Sequence, residues 1–259
     1  MPRQVIALEG RLRHCRNVTT LGVRPNFNDY TEAERTAIDA ADVIYYPSSQ
    51  YAFLLNTLGK RTFPGYHAYA CAQDKIRQTA LFQMAGIPHP STRVFYGRRQ
   101  QAMIMSLFAL PLIAKVPRGS AMGRGVFLIK CEADLANFCR QHHTVYIQEY
   151  LPVTRDIRVV VIGGRVVHAY WRYAPALDFR SNVAVGGRIA LDPLPESALA
   201  LAVHTARTCR WDDVGIDIID YDGRLFVIEG NMKYGREGFR AAGIDFTLMM
   251  EGLIADGTI

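Results

Sequence analysis

Two predicted β-hairpins in the C-terminal part of the chain constrain the fold more than any other feature. Their strands are Arg158–Ile162 with Arg165–Trp171, and Gly215–Asp220 with Arg224–Glu229. The dipeptides that join them, Gly163-Gly164 and Asp222-Gly223, are typical of tight turns between antiparallel strands. Antiparallel hairpins argue against a doubly wound parallel sheet and predict a layered α+β architecture.

The chain upstream of the hairpins divides into two further units. The N-terminal part alternates short apolar runs with a helical segment, Thr31–Ala41, which predicts a small α/β unit. Pro64-Gly65 interrupts this pattern before a predicted helix that begins at Gln73 and stops at Gly86. The apolar strand Pro111–Lys115 then leads into a glycine-rich loop. We therefore expect units at 1–70, 71–145 and 146–259.

Composition narrows the class of protein. The 259 residues include 30 Lys and Arg against 24 Asp and Glu, and 49% are hydrophobic, which excludes a disordered chain. The mild positive charge fits a polyanionic substrate such as a nucleotide. Nucleic acid is not favoured, because aromatic and basic residues do not interleave as in an RNA-binding sheet. The five scattered cysteines suit neither a disulfide framework nor a zinc site.

The apolar segments are too short for a membrane protein. Met1–Asn17 carries several arginines without the apolar core of a signal peptide. The longest apolar stretch, Ala102–Ala114, is interrupted by Ser106 and Pro111 and cannot span a bilayer. We expect a soluble, cytoplasmic protein with no membrane partner, and nothing in the sequence excludes a homo-oligomer.

The second hairpin carries the candidate metal ligands. Glu229 and Asn231 are two residues apart on a strand and leave the same face. A two-residue Asp222-Gly223 loop would put Asp217 on the opposite face, whereas a three-residue Tyr221–Gly223 loop would bring it to theirs. Three oxygen donors on one face would suit Mg²⁺ or Mn²⁺ that bridges substrate phosphates. The alternative is a solvated face that binds nothing.

A lysine and a glycine-rich loop form a candidate phosphate site. Lys115 ends an apolar strand, and Gly119, Ser120, Gly123 and Gly125 follow it. Glycines allow backbone N–H groups to approach a polyphosphate, which the lysine can neutralise. The spacing matches neither a P-loop nor a dinucleotide fingerprint, so an ordinary flexible hairpin loop remains the alternative.

Two arginines are candidates for binding an anion. Arg158 lies among valines on a strand, and Arg180 lies close to Asn182. A strand arginine with apolar neighbours usually has a carboxylate or phosphate partner, although an outward-facing side chain would also fit. Lys75, at the start of a helix, is expected from its position alone to be solvated.

These segments, in this order, resemble the ATP-grasp superfamily and most closely its RimK-like carboxylate–amine ligases. The similarity covers about residues 71–245. The matching segments are Asp74-Lys75, Gly86–Thr92, Pro111–Lys115, Gly119–Val126, Tyr146–Tyr150, Arg155–Val159, Asp178–Asn182, Gly186-Gly187, Gly215–Asp217 and Glu229–Asn231.

The resemblance implies an ATP-grasp fold, in which two α+β subdomains clasp ATP behind a small N-terminal α/β domain. The residues that it implies for ATP are Lys75, Lys115, Gly119, Ser120, Gly123, Gly125, Gln148, Glu149, Tyr150, Leu151 and, near the ribose, Asp156. Those implied for the γ-phosphate and an acyl phosphate are Arg158, Arg180 and Asn182. Those implied for Mg²⁺ or Mn²⁺ are Asp217, Glu229 and Asn231.

The implied reaction is ATP-dependent ligation of a carboxylate to an amine through an acyl phosphate, with glutamate or another amino acid or peptide as substrate. After Asn231 this chain has Met232–Gly235 where the family usually has Ser-Pro-Gly, which leaves the amine open. Two alternatives also stay open. One is a kinase of the same fold that phosphorylates a small molecule, and the other is a nucleotide-binding module without catalysis.

Overall fold

The computed structural model describes residues 5–119, 125–175, 178, 180 and 186–259, and their strands form three sheets. The strands are β1 (Ile6–Ala7), β2 (Thr19–Thr20), β3 (Val43–Tyr45), β4 (Arg61–Phe63), β5 (Thr92–Tyr96), β6 (Leu112–Lys115), β7 (Val126–Ile129), β8 (Thr144–Glu149), β9 (Arg155–Ile162), β10 (Arg165–Tyr173), β11 (Arg188–Ala190), β12 (Asp213–Tyr221) and β13 (Arg224–Asn231). The helices are α1 (Glu32–Ala40), α2 (Ser48–Thr57), α3 (Tyr66–Cys71), α4 (Lys75–Ala85), α5 (Gly97–Gln101), α6 (Ile104–Leu107), α7 (Glu132–Gln141), α8 (Glu196–Thr208), α9 (Glu237–Ala241) and α10 (Phe246–Ala255). None of the helices in these ranges has the length and apolar character that a membrane crossing requires.

The N-terminal sheet is parallel, with strand order β2-β1-β3-β4. Its helix α1 begins at a capping box, in which the Thr31 hydroxyl accepts from the Glu34 N–H and the Glu34 carboxylate accepts from the Thr31 N–H. Buried Ile6, Ile44 and Ile38 pack the sheet against this helix. The small α/β unit predicted from the alternating pattern is therefore present.

The middle sheet is antiparallel, with strand order β5-β8-β6-β7. Side chains alternate between the two faces of a strand. Ala114 and Ile147 pack with Phe138 of α7 in the core of this unit, whereas Lys115 lies on the opposite face of the sheet. Strand β8 runs to Glu149 within this sheet. The expected boundary between residues 145 and 146 therefore cuts a strand, and the sheet extends the middle unit to Glu149.

The C-terminal sheet is a five-stranded antiparallel sheet with order β11-β10-β9-β12-β13, as the hairpins predict. Its first face is apolar: Val159 and Ile216 pack on Ala202 of α8. On its second face, Val160 and Ile162 pack near one end against residues of the N-terminal unit and of α10. The rest of that second face carries charged side chains.

Helix α4 joins the middle unit to the edge of the C-terminal sheet. The Gln78 side chain donates to the Gly230 carbonyl and accepts from the Gly230 N–H, both at 2.9 Å. The helix ends at Gly86 in the left-handed conformation, which glycine adopts without strain, as its position before Pro88 predicts. These bonds hold the edge strand β13 in a fixed register beside α4.

Candidate active site

The register of β12 and β13 decides which carboxylates share a face. Tyr221 pairs with Arg224, so the loop has two residues. In a regular ladder that loop would place Asp217 and Glu229 on opposite faces. A β-bulge at Ile228 shifts the register by one, and Asp217 pairs directly with Glu229. The expectation that a two-residue loop separates them is wrong, because the bulge restores the shared face.

Asp217 lies at the centre of the charged face, and it is almost fully buried. Arg158, directly across from it on β9, donates to it from both Nε and Nη2, the second at 3.0 Å. Arg172 Nη2 lies 3.0 Å from the second carboxylate oxygen. Burial acts to raise the pKa of Asp217, but the two guanidinium groups outweigh it and hold this pKa below its usual value. Asp217 is therefore an anion that two arginines fix in place.

Arg172 is a site residue that sequence reasoning missed. It is buried and makes two bonds of 2.7 Å to the carboxylate of Asp156, besides its contact with Asp217. Asp156, expected near a ribose, thus has both oxygens bonded to Arg172. The pairing register of the β9–β10 hairpin could have revealed it. Arg172 pairs with Asp156, and Asp156 is two residues from Arg158, so the three side chains lie on the same face of the sheet.

Glu229 and Lys75 bring the middle and C-terminal units together at this face. Lys75 Nζ lies 3.8 Å from Glu229 Oε2. Lys75 is buried, so the expectation of a solvated side chain is wrong: the fold of α4 against β13 carries the ammonium inward. The role in ATP binding that the resemblance implies for Lys75 stays a prediction.

Lys115 faces the same space from the middle sheet. Its side chain is buried and lies over the Tyr146 ring at 5.7 Å. Burial lowers the pKa of Lys115 to about 8, with Lys75 acting in the same direction and Glu229 and Asp217 opposing it. Among the residues the structure describes, Lys115 has no ion-pair partner within 4 Å. A buried ammonium without a counter-ion favours an incoming anion.

The candidate metal ligands lie together. The Asn231 amide donates to Asp217 at 3.1 Å and to Glu229 at 3.2 Å. In the described part of the chain no group of three His, Cys, Asp or Glu side chains converges, so a metal set needs the Asn231 oxygen. The Glu229 side chain is 24% exposed and that of Asp217 only 4%. These side chains fit Mg²⁺ or Mn²⁺ if the Asn231 amide turns its oxygen toward the carboxylates: Glu229 and Asn231 would then hold the ion, with Asp217 shared with the arginines.

The segment predicted as a hinge follows the end of β8. The Gln148 side chain is buried and donates to Thr92 at 2.9 Å, and the Glu149 carboxylate accepts from the Ser91 N–H at 2.6 Å. Tyr150 and Leu151 continue as irregular chain between the two sheets. These bonds fix the side chains of Gln148 and Glu149 at the end of β8.

The remaining predicted residues lie in or near the glycine loops. Gly119 and Gly125 have positive φ, and no neighbouring atom restricts Gly119. Arg180 pairs with Asp178 at 2.6 Å. Three predicted residues, Ser120, Gly123 and Asn182, lie outside the described residues.

A middle sheet that carries Lys115 faces a C-terminal sheet that carries the carboxylate–arginine cluster, and Lys75 of α4 lies beside Glu229. This arrangement defines a class of nucleotide-dependent enzymes, the ATP-grasp proteins. The fold agrees with solved structures of that class. The RimK domain protein ATP-grasp from Sphaerobacter thermophilus matches with a TM-score of 0.68 at 16% identity, over 97% of this chain and 99% of the other. The D-alanine–D-alanine ligase from Bacillus anthracis complexed with ATP matches with a TM-score of 0.70 at 14% identity, over 98% and 96%.

The family follows from sequence. The model of the RimK-like ATP-grasp domain matches residues 72–254, and the chain belongs to this family. A probable alpha-L-glutamate ligase from Legionella pneumophila is 30% identical over 78% of this chain and 68% of that protein. A ribosomal protein bS6–L-glutamate ligase from Escherichia fergusonii is 32% identical over 69% of this chain and 62% of that protein. The α+β ATP-grasp prediction is confirmed, and the chain is an ATP-dependent carboxylate–amine ligase.

Proposed function

We propose that this enzyme joins L-glutamate to a second amino acid or to a peptide, through an acyl phosphate and at the expense of ATP. The names of its relatives, both glutamate ligases, support glutamate as one substrate. The reaction would form one amide bond and release ADP and phosphate.

The observation that carries the proposal is the charge balance of the space between the sheets. Among the residues that the structure describes, four cationic side chains surround it, against three carboxylates. The cations are Lys75, Lys115, Arg158 and Arg172, and the carboxylates are Asp156, Asp217 and Glu229. A space with excess positive charge and restricted access to water favours a polyanion such as the triphosphate of ATP.

We assign the metal ion to Glu229, Asn231 and Asp217. A bound Mg²⁺ or Mn²⁺ would supply positive charge that polarises the substrate phosphates. Arg158 and Arg172 then have a double role, because they keep Asp217 ionised and oriented while adding charge beside the γ-phosphate. Lys75 holds Glu229 from the opposite side of the space.

The chemistry needs little from the protein beyond position and charge. A carboxylate oxygen of the first substrate attacks the γ-phosphorus in line, the bond to the β-phosphate oxygen breaks, and ADP leaves. The amine nitrogen then attacks the acyl carbon, the carbon–oxygen bond to phosphate breaks, and the nitrogen loses a proton. Lys115 and the arginines stabilise the charge on the transferring group throughout.

The test is ADP release with Mg-ATP across pairs of amino acids and short peptides, with mass spectrometry of the products. We expect ADP only when glutamate and a partner are both present, together with a condensed product of their combined mass less water. A stable phosphorylated product without any amine would replace ligation by kinase chemistry. Condensation that excludes glutamate would refute the assigned substrate.

A further inference from the structure

A second cleft lies outside the ligation centre, where the N-terminal unit meets the beginning of β12. Its volume is about 600 Å³. The N-terminal unit contributes Arg61 and His67, and the C-terminal unit contributes Arg207, Arg210 and Trp211. The side chains assigned to the proposed function, including Asp156 and Asn231, do not line this cleft.

The cleft is strongly basic. Arg61, Arg207 and Arg210 are exposed, and among the described residues none of them makes an ion pair with a carboxylate. The acidic residue in the lining, Asp212, accepts from the Gly65 N–H with both oxygens, at 2.9 and 3.0 Å. The carboxylate is thus held against the backbone, and three guanidinium groups are left to face solvent in one concave site.

Helix electrostatics explain only part of this arrangement. Arg207 lies in the last turn of α8, where a cation offsets the negative end of the helix dipole. Arg61 belongs to β4 in a different unit, and no helix end accounts for its place. Three guanidinium groups from two units meet one carboxylate, Asp212, in this lining, and the excess of positive charge indicates an anion that arrives from outside.

We propose that this cleft docks an acidic peptide segment, the carboxylate-rich part of a polypeptide that the ligation centre modifies. The inference rests on the proposed function, because it takes a peptide as the second substrate of the ligation centre. Guanidinium groups bind carboxylates in paired geometry, and this cleft is bounded rather than a long basic stripe of the kind nucleic acid requires.

The spacing between cleft and ligation centre sets the length of such a peptide. Asp212, in the cleft, and Asp217, at the centre, are separated by about 16 Å along β12 at the usual rise of a strand. Buried Asp213 with its partners Tyr46 and Tyr234 fills the direct line, so an extended peptide has to pass around them and needs more than about five residues between its docked carboxylates and its reacting end. Shorter acidic substrates would be ligated without use of the cleft.

The experiment measures binding of fluorescein-labelled hexaglutamate by anisotropy, with no ATP present. We expect binding that weakens with salt and that falls about tenfold in the double variant Arg207→Ser/Arg210→Ser, since each exposed charge pair strengthens binding about two- to fivefold. Arg61→Ser should weaken it as well. Arg99→Ser, an exposed arginine on α5, is the matched control and should leave binding unchanged.

Two results would overturn the inference. One is equal affinity of the wild type and the double variant, and the other is a labelled oligonucleotide of equal charge that binds more tightly through the same arginines. The assay is independent of turnover. Ligation of glutamate without hexaglutamate binding would refute the docking site alone, whereas docking without ligation would refute the proposed function alone.

Discussion

The bonding partners of each carboxylate determine its role at this site. Asp217 has two guanidinium partners, while the partners of Glu229 in the described part of the chain are a lysine at 3.8 Å and the Asn231 amide. The two carboxylates are therefore not equivalent. Asp217 is fixed within the protein, and Glu229 is the more accessible group for a metal ion.

Glu229→Gln tests that assignment because it removes the charge and keeps the volume. We expect kcat/KM to fall about 100-fold or more, because loss of the carboxylate would weaken the hold on a metal ion whose charge stabilises the reacting phosphate. Turnover across a Mg²⁺ titration is the measurement. Asp220→Asn, an exposed carboxylate on the same hairpin, should behave as wild type. An unchanged Mg²⁺ response in Glu229→Gln would show that the metal is held elsewhere.

Lys115 gives the site a pH dependence. With a pKa of about 8, its ammonium is largely protonated at pH 7 and largely neutral at pH 9. If only the charged form holds the phosphates, ATP affinity should fall about tenfold between these pH values. Lys115→Arg stays charged throughout and should lose this dependence. The Kd for ATP, measured by calorimetry at each pH, would contradict the phosphate role if both proteins titrated alike.

At the scale of elements, the bulged hairpin depends on a glycine. A Cβ on Gly230 would lie 2.5 Å from the Trp211 ring, so only glycine lets β13 pack here between Glu229 and Asn231. The bulge that aligns Asp217 with Glu229 is held by this contact and by the paired bonds from Gln78. Packing of one backbone segment thus positions both metal candidates.

Gly230→Ala should therefore destabilise the fold by about 1–3 kcal/mol, as overpacking of a close contact does, and should reduce Mg²⁺-dependent turnover. Gly252→Ala is the matched control. It lies within α10 with open space around it, and replacement should stabilise the protein by about 0.5–1 kcal/mol. Urea denaturation measures both. A Gly230→Ala protein as stable as wild type would contradict the packing argument.

The same hairpin shows how far sequence reasoning reaches. Alternating apolar residues and the Asp222-Gly223 turn predicted both strands, because these signals are local. The bulge at Ile228 could not be predicted, since no local residue pattern marks it and the neighbouring Gly230 packs on Trp211 through a tertiary contact. Arg172 was missed for a related reason: its partners Asp156 and Asp217 lie on two other strands. The fold class and most candidate residues could be predicted from local sequence patterns. The pairing among those residues could not, because it joins strands that are distant in sequence.

At the scale of the whole molecule, a buried polar cluster joins the N-terminal unit to the C-terminal sheet. Asp213, fully buried at the start of β12, accepts from the Tyr46 hydroxyl at 2.7 Å and from the Tyr234 hydroxyl at 2.5 Å. The Arg11 guanidinium lies 3.6 Å from the same carboxylate and 4.6 Å from the Tyr234 ring. The N-terminal unit contributes Arg11 and Tyr46, so the cluster ties the two units into one cooperative structure.

Both hydroxyls donate to one buried carboxylate, so their contributions to the free energy of unfolding should be coupled. Tyr46→Phe and Tyr234→Phe should each lower the free energy of unfolding by about 1.5–3 kcal/mol, the usual range for a hydrogen bond to a charged group. The double variant should cost more than the sum of the two, because it leaves Asp213 with Arg11 as its remaining partner. Tyr221→Phe, at the opposite end of β12, should change stability by less than about 0.5 kcal/mol. Urea unfolding followed by fluorescence and by circular dichroism provides the measurement. Additive costs, or an N-terminal unit that unfolds in a separate transition, would show that the cluster does not join the two units.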